Sequence, residues 1–159
     1  MANHFFAFLC LTFLTLCTAE NFVVRKLSSG KVIYVSKTFL SWYDALDFCN
    51  KYNLSLVSIN SAKENTELAK TIRPILPENE VHVWIGGYKF QDENGENSQR
   101  WVNGGRNVTY TNWSSGEPDN ANGREYCLEI YYRQYRGATD KWNDRFCTDK
   151  HPFVCERKC

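Results

Sequence analysis

Glu117, Asp119, Glu125, Asn143 and Asp144 are the residues whose types and spacing point most directly to chemistry. They fall in three short words, Glu117-Pro118-Asp119, Glu125-Tyr126-Cys127 and Trp142-Asn143-Asp144. Nowhere else does the chain concentrate hard oxygen ligands so densely. Carboxylate and amide oxygens suit a hard cation, and calcium takes roughly six to eight of them at once. A metal-centred binding site is the first chemistry to expect. The cluster lies beside two cysteines, Cys127 and Cys147.

Catalysis has little to work with. Beyond the first residues the histidines are His82 and His151, and no nucleophile, base and acid show a recognisable spacing. A carboxylate that ligates a cation is not free to act as a general acid. No enzyme is expected. The charges balance to +1, which argues against nucleic acid as a partner.

Residues 1–19 contain no Asp, Glu, Lys or Arg, and Phe5 to Leu16 is almost wholly apolar. This reads as a secretory signal peptide ending at Ala19; a membrane span needs about 20 apolar residues. A lipoprotein signal at Cys17 ranks lower, because Leu16 is bulky where a small residue is wanted. The remainder is long enough for one core. It keeps Cys49, Cys127, Cys147, Cys155 and Cys159, and a secreted chain meets an oxidising compartment, so disulfides are expected. The count is odd, which leaves one thiol over, and no Cys-x-x-Cys spacing points to zinc or redox chemistry.

Several elements must position these residues. Lys31 to Lys37 reads as a strand from its β-branched and aromatic residues. Trp42, Ala45, Leu46, Cys49 and Tyr52 recur at helical spacing over Ser41 to Tyr52. Leu54 to Ile59 is a short buried strand. Ser61-Ala62-Lys63-Glu64 is a capping-box signature that opens a second helix through about Ile72, stopped before Pro74. Val81 to Gly87 reads as a strand ending in a turn. Phe90 to Asn122 is rich in Asn, Gly, Ser and Asp, yet Trp101, Tyr110 and Trp113 are interleaved. Disordered segments are poor in aromatics, so this stretch is expected to be an ordered, loop-rich region. Cys127 to Tyr132, Lys141 to Asn143 and Phe153 to Glu156 close the chain as strands.

Two helices, then Trp84-Ile85-Gly86-Gly87, a long loop carrying Glu117-Pro118-Asp119, then Cys127, Trp142-Asn143-Asp144, Cys147 and Phe153-Val154-Cys155-Glu156 follow in that order. The order resembles the C-type lectin domain, and the bare layout is similar to the short secreted C-type lectins of insects. The resemblance covers residues 31–156, after a signal peptide at 1–19 and an extension at 20–30, and before a tail at 157–159. It implies an α+β fold, with two helices flanking two small antiparallel sheets and a long calcium-binding loop region. Cysteine count alone permits fifteen pairings with one thiol free; the resemblance implies Cys49–Cys155 and Cys127–Cys147. The outer bridge would close a loop of over ~100 residues, for which chain entropy gives about 4–5 kcal/mol. Cys159 is then the odd residue, and an interchain disulfide there would make a homodimer.

The resemblance also implies a function: calcium-dependent carbohydrate binding without catalysis, on glycans of microbial or cell surfaces, in innate immunity or cell recognition. The alternative is a lectin-like domain that binds protein or lipid and keeps calcium for structure. Glu117, Asp119, Glu125, Asn143 and Asp144 match the family's calcium ligands, and the first four would also bind the sugar hydroxyls. Pro118 would follow a cis peptide bond. Mannose readers of the family have Glu-Pro-Asn here and galactose readers Gln-Pro-Asp, whereas this chain has an acid at both ends. A carboxylate cannot donate to a hydroxyl's lone pair as an amide does. Tight calcium and loose sugar choice are expected, with a lean to galactose from Asp119 or a mixed galactose and mannose specificity. Asn120-Ala121-Asn122-Gly123 replaces the glycine-rich aromatic segment of many galactose readers. Tyr131, Tyr132 or Tyr135 could stack on a sugar face, though core packing is the commoner use of such rings. A second, weak calcium site would use Asp92 and Glu96. Asn53, Asn107 and Asn112 stand in glycosylation sequons, Asn107 being the best placed.

Overall fold

The computed structural model describes residues 21–79, 82–91, 93, 97–133 and 138–158. The expectations for residues 1–19, for Asp92 and Glu96, for Tyr135 and for Cys159 fall outside them.

Among the described residues, eight strands and two α-helices alternate irregularly. In chain order they are β1 (Val23–Lys26), β2 (Val32–Leu40), α1 (Trp42–Lys51), β3 (Leu54–Leu56), α2 (Ala62–Ile72), β4 (His82–Gln91), β5 (Asn97–Trp101), β6 (Glu125–Arg133), β7 (Ala138–Phe146) and β8 (His151–Arg157). Both helices begin at a serine cap. The Ser41 side chain accepts the Asp44 N–H, and that of Ser61 accepts the Glu64 N–H. The return half of the second capping box lands one residue early, with Glu64 Oε2 accepting the Asn60 N–H.

The strands form one network in the order β1-β2-β8-β4-β6-β7, with β3 beside β8 and β5 beside β4. It is two antiparallel lobes, β1-β2-β8-β3 and β5-β4-β6-β7, joined by a single parallel pair, Trp84 with Phe153. The two small sheets implied by the resemblance are therefore lobes of one sheet. From residue 21 onward the extension is part of the domain: β1 pairs with β2 from Val23 to Lys26, and Phe22 and Leu27 are buried. Its outward Val-Arg-Lys pattern gave no sign of this.

Each face has its own core. Leu68, Ala69 and Ile72 of α2 meet Ile85, Ile130, Val154, Trp101 and Trp142 on one side. Trp42, Ala45 and Cys49 of α1 meet Trp84, Phe153 and Cys155 on the other. Gly86 sits where the backbone of β4 comes so close to Leu56 that a Cβ would lie 2.6 Å from its carbonyl oxygen.

The polar region after β4 is ordered by aromatic rings and by one buried acid. Trp142 is edge-on to Trp101, Tyr110 and Trp113, with centroids 5.6–5.8 Å away. Its ring N–H donates to Asn65 Oδ1 at 2.7 Å. Glu156 accepts from Ser58 and from Asn103 Nδ2, and Lys31 lies 2.8 Å from its other oxygen. Asn103 is thereby fixed where the long loop begins. A strand pairing inside that region, β5 on β4, escaped the sequence reading because Asn97-Ser98-Gln99-Arg100 is wholly polar.

Candidate functional site

The acid-rich words are carried by the end of the long loop and by two neighbouring strands, β6 and β7. One disulfide fastens these two strands and a second ties α1 to β8. Cys127 of β6 is bonded to Cys147 just beyond β7, and Cys49 of α1 to Cys155 of β8, with Cα atoms 5.2 and 5.9 Å apart. Trp142 N–H donates to Asn112 O, and Ser114 N–H to Trp142 O, so the loop is stitched to β7 immediately before Asn143 and Asp144. The Glu117–Pro118 peptide bond is cis.

Glu117, Asp119 and Asp144 each offer a carboxylate oxygen, and the three oxygens lie within 4.8 Å of one another. Such crowding of like charge needs compensation, and the backbone provides part of it. Asp119 N–H donates to Glu117 Oε2 and Asp144 Oδ1, and Asn120 N–H to Asp144 Oδ2. Ala121 N–H donates to Asp119 Oδ1 at 3.0 Å and to Glu125 Oε2 at 3.1 Å. Three successive amides thus face four carboxylates. The turn that allows this has Asn120 and Asn122 at φ 49° and 55°, a region that asparagine tolerates better than most residues. Asn120 Oδ1 in turn accepts the Glu125 N–H.

Glu125 is buried, and burial raises its carboxyl from 4.5 to about 7, with the nearby Asp144 and Asp119 pushing the same way. Lys89 supplies the remaining compensation, its Nζ 3.7 Å from Asp144 Oδ2. Sequence reasoning passed over Lys89, because only the register of β4 against β6 and β7 brings it there. The donor set is oxygen-only, anionic and partly open, with Asp119 exposed and Glu117 half-buried, and it fits a hard divalent cation.

Asn143 is held differently. Its Nδ2 donates to Glu129 Oε1 at 3.0 Å, which leaves its oxygen as the atom to offer a cation. Glu129 also meets two histidines: His82 Nδ1 is 2.9 Å from Oε1, and His151 Nε2 is 3.9 Å from Oε2. His151 is buried, and burial followed by the facing His82 and Arg145 lowers it to about 4. The two histidines that looked isolated in the sequence are neighbours.

Of the tyrosines expected near a ligand, Tyr132 is buried and donates its hydroxyl to Ala69 O, and Tyr131 stacks on His82 at 4.9 Å. The exposed ring beside the acidic loop is Tyr126, whose hydroxyl donates to Gly123 O and over which Lys89 sits at 5.7 Å. Among the sequons, Asn53 and Asn107 are exposed. The Asn112 amide nitrogen, the atom a glycan would take, donates to Asp140 O at 2.8 Å.

The lectin C-type domain family matches residues 38–157. Salivary C-type lectin 2 of Aedes albopictus is 35% identical over 121 residues, covering 74% of this chain and 78% of the relative. A C-type lectin of Micrurus corallinus is 34% identical over 98% of both chains. Among solved structures, the carbohydrate-recognition domain of the mouse scavenger receptor C-type lectin superposes with a TM-score of 0.67 at 29% identity. That match covers 85% of this chain and 95% of the other.

Proposed function

Because the chain belongs to the C-type lectin domain family, whose members bind carbohydrate and are not enzymes, we propose that it is a secreted, calcium-dependent lectin for glycans on microbial or cell surfaces. The observation that carries this reading is the convergence of Glu117, Asp119 and Asp144 within 4.8 Å around backbone amides that already gather their oxygens. Asp144 and Glu125 are buried, which fixes their oxygens before any ligand arrives. Asn143, oriented through Glu129, adds an amide oxygen. When bound, calcium would supply a Lewis-acid centre that accepts two vicinal sugar hydroxyls.

The protein groups choose the sugar. Each hydroxyl can give its hydrogen to Glu117, Asp119 or Glu125, and such charge-assisted bonds are the stronger ones. Asp119 matches the third residue of the galactose word but has no amide to donate. The lean is to galactose, or to a mixed galactose and mannose specificity, with Tyr126 as the exposed ring beside the loop.

Elution from a glycan resin tests the reading. Chelator and free galactose or mannose should both release the protein. Release by chelator with no competition from any monosaccharide would support the alternative, a lectin-like domain that binds protein or lipid and uses calcium only to order its loops. A disulfide-linked homodimer through Cys159 would double the valency of a weak single site. Electrophoresis without reductant decides it, because a monomer in both conditions rules it out. Asn107 and Asn53 are the sequons whose exposure suits a glycan, and enzymatic deglycosylation reads out their use.

A further inference from the structure

The register of three adjacent strands sets His82, Glu129 and His151 on one face of the sheet. Glu129 of β6 pairs with Trp84 of β4, and Trp84 pairs with Phe153 of β8. Side chains two residues apart on a strand share a face, so His82 flanks Trp84 and His151 flanks Phe153 on the side where Glu129 projects. The two imidazole rings lie 4.8 Å apart between centroids. One ligand atom from each of the three residues falls within 4.8 Å of the others.

We propose that His82, Glu129 and His151 form a zinc site, separate from the acidic loop. Two imidazoles and a carboxylate are the ligand set of zinc centres that keep a fourth position open. Bond lengths of about 2.0–2.1 Å in a tetrahedron put neighbouring ligand atoms about 3.3 Å apart. The observed separations, 2.9 Å from His82 Nδ1 to Glu129 Oε1 and 3.9 Å from His151 Nε2 to Glu129 Oε2, bracket that spacing.

An independent observation also points to a ligand. Glu129 is wholly buried, and its Oε2 has no hydrogen-bond partner among the described residues. A buried carboxylate oxygen left without a partner is costly and calls for a cation or a donor. The surroundings resemble the support that metal ligands receive. Asn143 Nδ2 donates to Glu129 Oε1, Trp84 packs edge-on to His151, and Tyr131 stacks on His82. The His82 side chain is 21% exposed, so an ion can enter from that side, and the fourth position would take water or an anionic group.

Calorimetric titration of the disulfide-bonded protein with zinc, in excess calcium to hold the acidic loop, tests this. One zinc per chain should bind, and cobalt in its place should give the visible absorption of a tetrahedral centre. His82→Ala, at the partly exposed ligand, should weaken zinc at least about tenfold and abolish the cobalt band, with the melting transition retained. His151→Asn should do the same; if that buried change disturbs folding, the His82 variant decides alone. No zinc uptake in calcium-saturated protein, or zinc affinity unchanged in His82→Ala, overturns the site and leaves a histidine–carboxylate hydrogen-bond cluster.

Discussion

Calcium affinity should collapse in mildly acidic solution, well above the range where ordinary carboxylates titrate. The perturbation is pH, and the group is Glu125, whose carboxyl is raised to about 7 in the cation-free fold. A metal ligand must be deprotonated, so a proton on Glu125 competes directly with calcium. With that value, moving from about pH 7.5 to about pH 5.5 should weaken calcium roughly 25-fold, or about 2 kcal/mol. A glutamate left at 4.5 would change it by only about a tenth over the same interval. Calorimetry in buffers of different protonation enthalpy measures both the affinity and the protons released. About one proton per calcium should leave near pH 6. An affinity that stays flat down to about pH 5, with no proton release, would refute the reasoning.

The same residue and His151 act oppositely on stability. Without calcium, the folded state holds the Glu125 proton more tightly than the unfolded chain, so that contribution falls as pH rises from 4.5 to about 7. His151, lowered from 6.5 to about 4, is more readily charged when unfolded, so its contribution rises with pH across that window. Calcium-free protein should therefore melt at nearly constant temperature between about pH 5 and 7, while the calcium-loaded protein gains stability with pH; scanning calorimetry distinguishes the two. Lys89→Met should tighten calcium by about tenfold, since an ammonium 3.7 Å from Asp144 repels a divalent ion, and added salt should shrink the gain. Asp119→Asn should weaken calcium and strengthen sugar at saturating calcium, by exchanging a charge for a hydrogen-bond donor; the opposite pair of calorimetric results would sink the account of the acidic word. Gly86→Ala should cost about 1–3 kcal/mol in denaturant unfolding, because the new methyl meets the Leu56 carbonyl, which is backbone and cannot turn away.

Much of this was legible in residue order. Apolar spacing announced the first helix and the Ser61 capping box the second, and the cysteine pairing implied by family resemblance is the pairing the structure has. Trp101, Tyr110 and Trp113 were readable as anchors because a polar stretch with interleaved rings has to pack them somewhere. What stayed hidden depends on register between distant strands. Lys89 reaches Asp144 only across paired strands, and Glu129 meets His82 and His151 only because β4 lies between β6 and β8. Glu129 itself read as one position in an ordinary strand. β1 and β5 were missed because their polar residues are stabilised by pairing rather than by a buried face. Tyr132 takes the commoner of the two uses open to it, packing in the core with its hydroxyl donating to a backbone carbonyl.

The position of β8 has a consequence for how the molecule is made. Among the described residues it is the last strand in chain order, yet it pairs with β2, β3 and β4 and so carries the strand pairing between the two lobes. A ribosome delivers residues at roughly 5–20 per second, so for the several seconds between Cys49 and Cys155 the first cysteine waits as a thiol. During that interval Cys127 and Cys147 emerge and can close their short ring locally. Synthesis order thus favours the bridge beside the acidic loop first and the bridge that seals the sheet last. A chain interrupted just before Phe153 would lack the strand that pairs with both lobes, leaving edges of β2, β3 and β4 unpaired and Cys49 as a thiol.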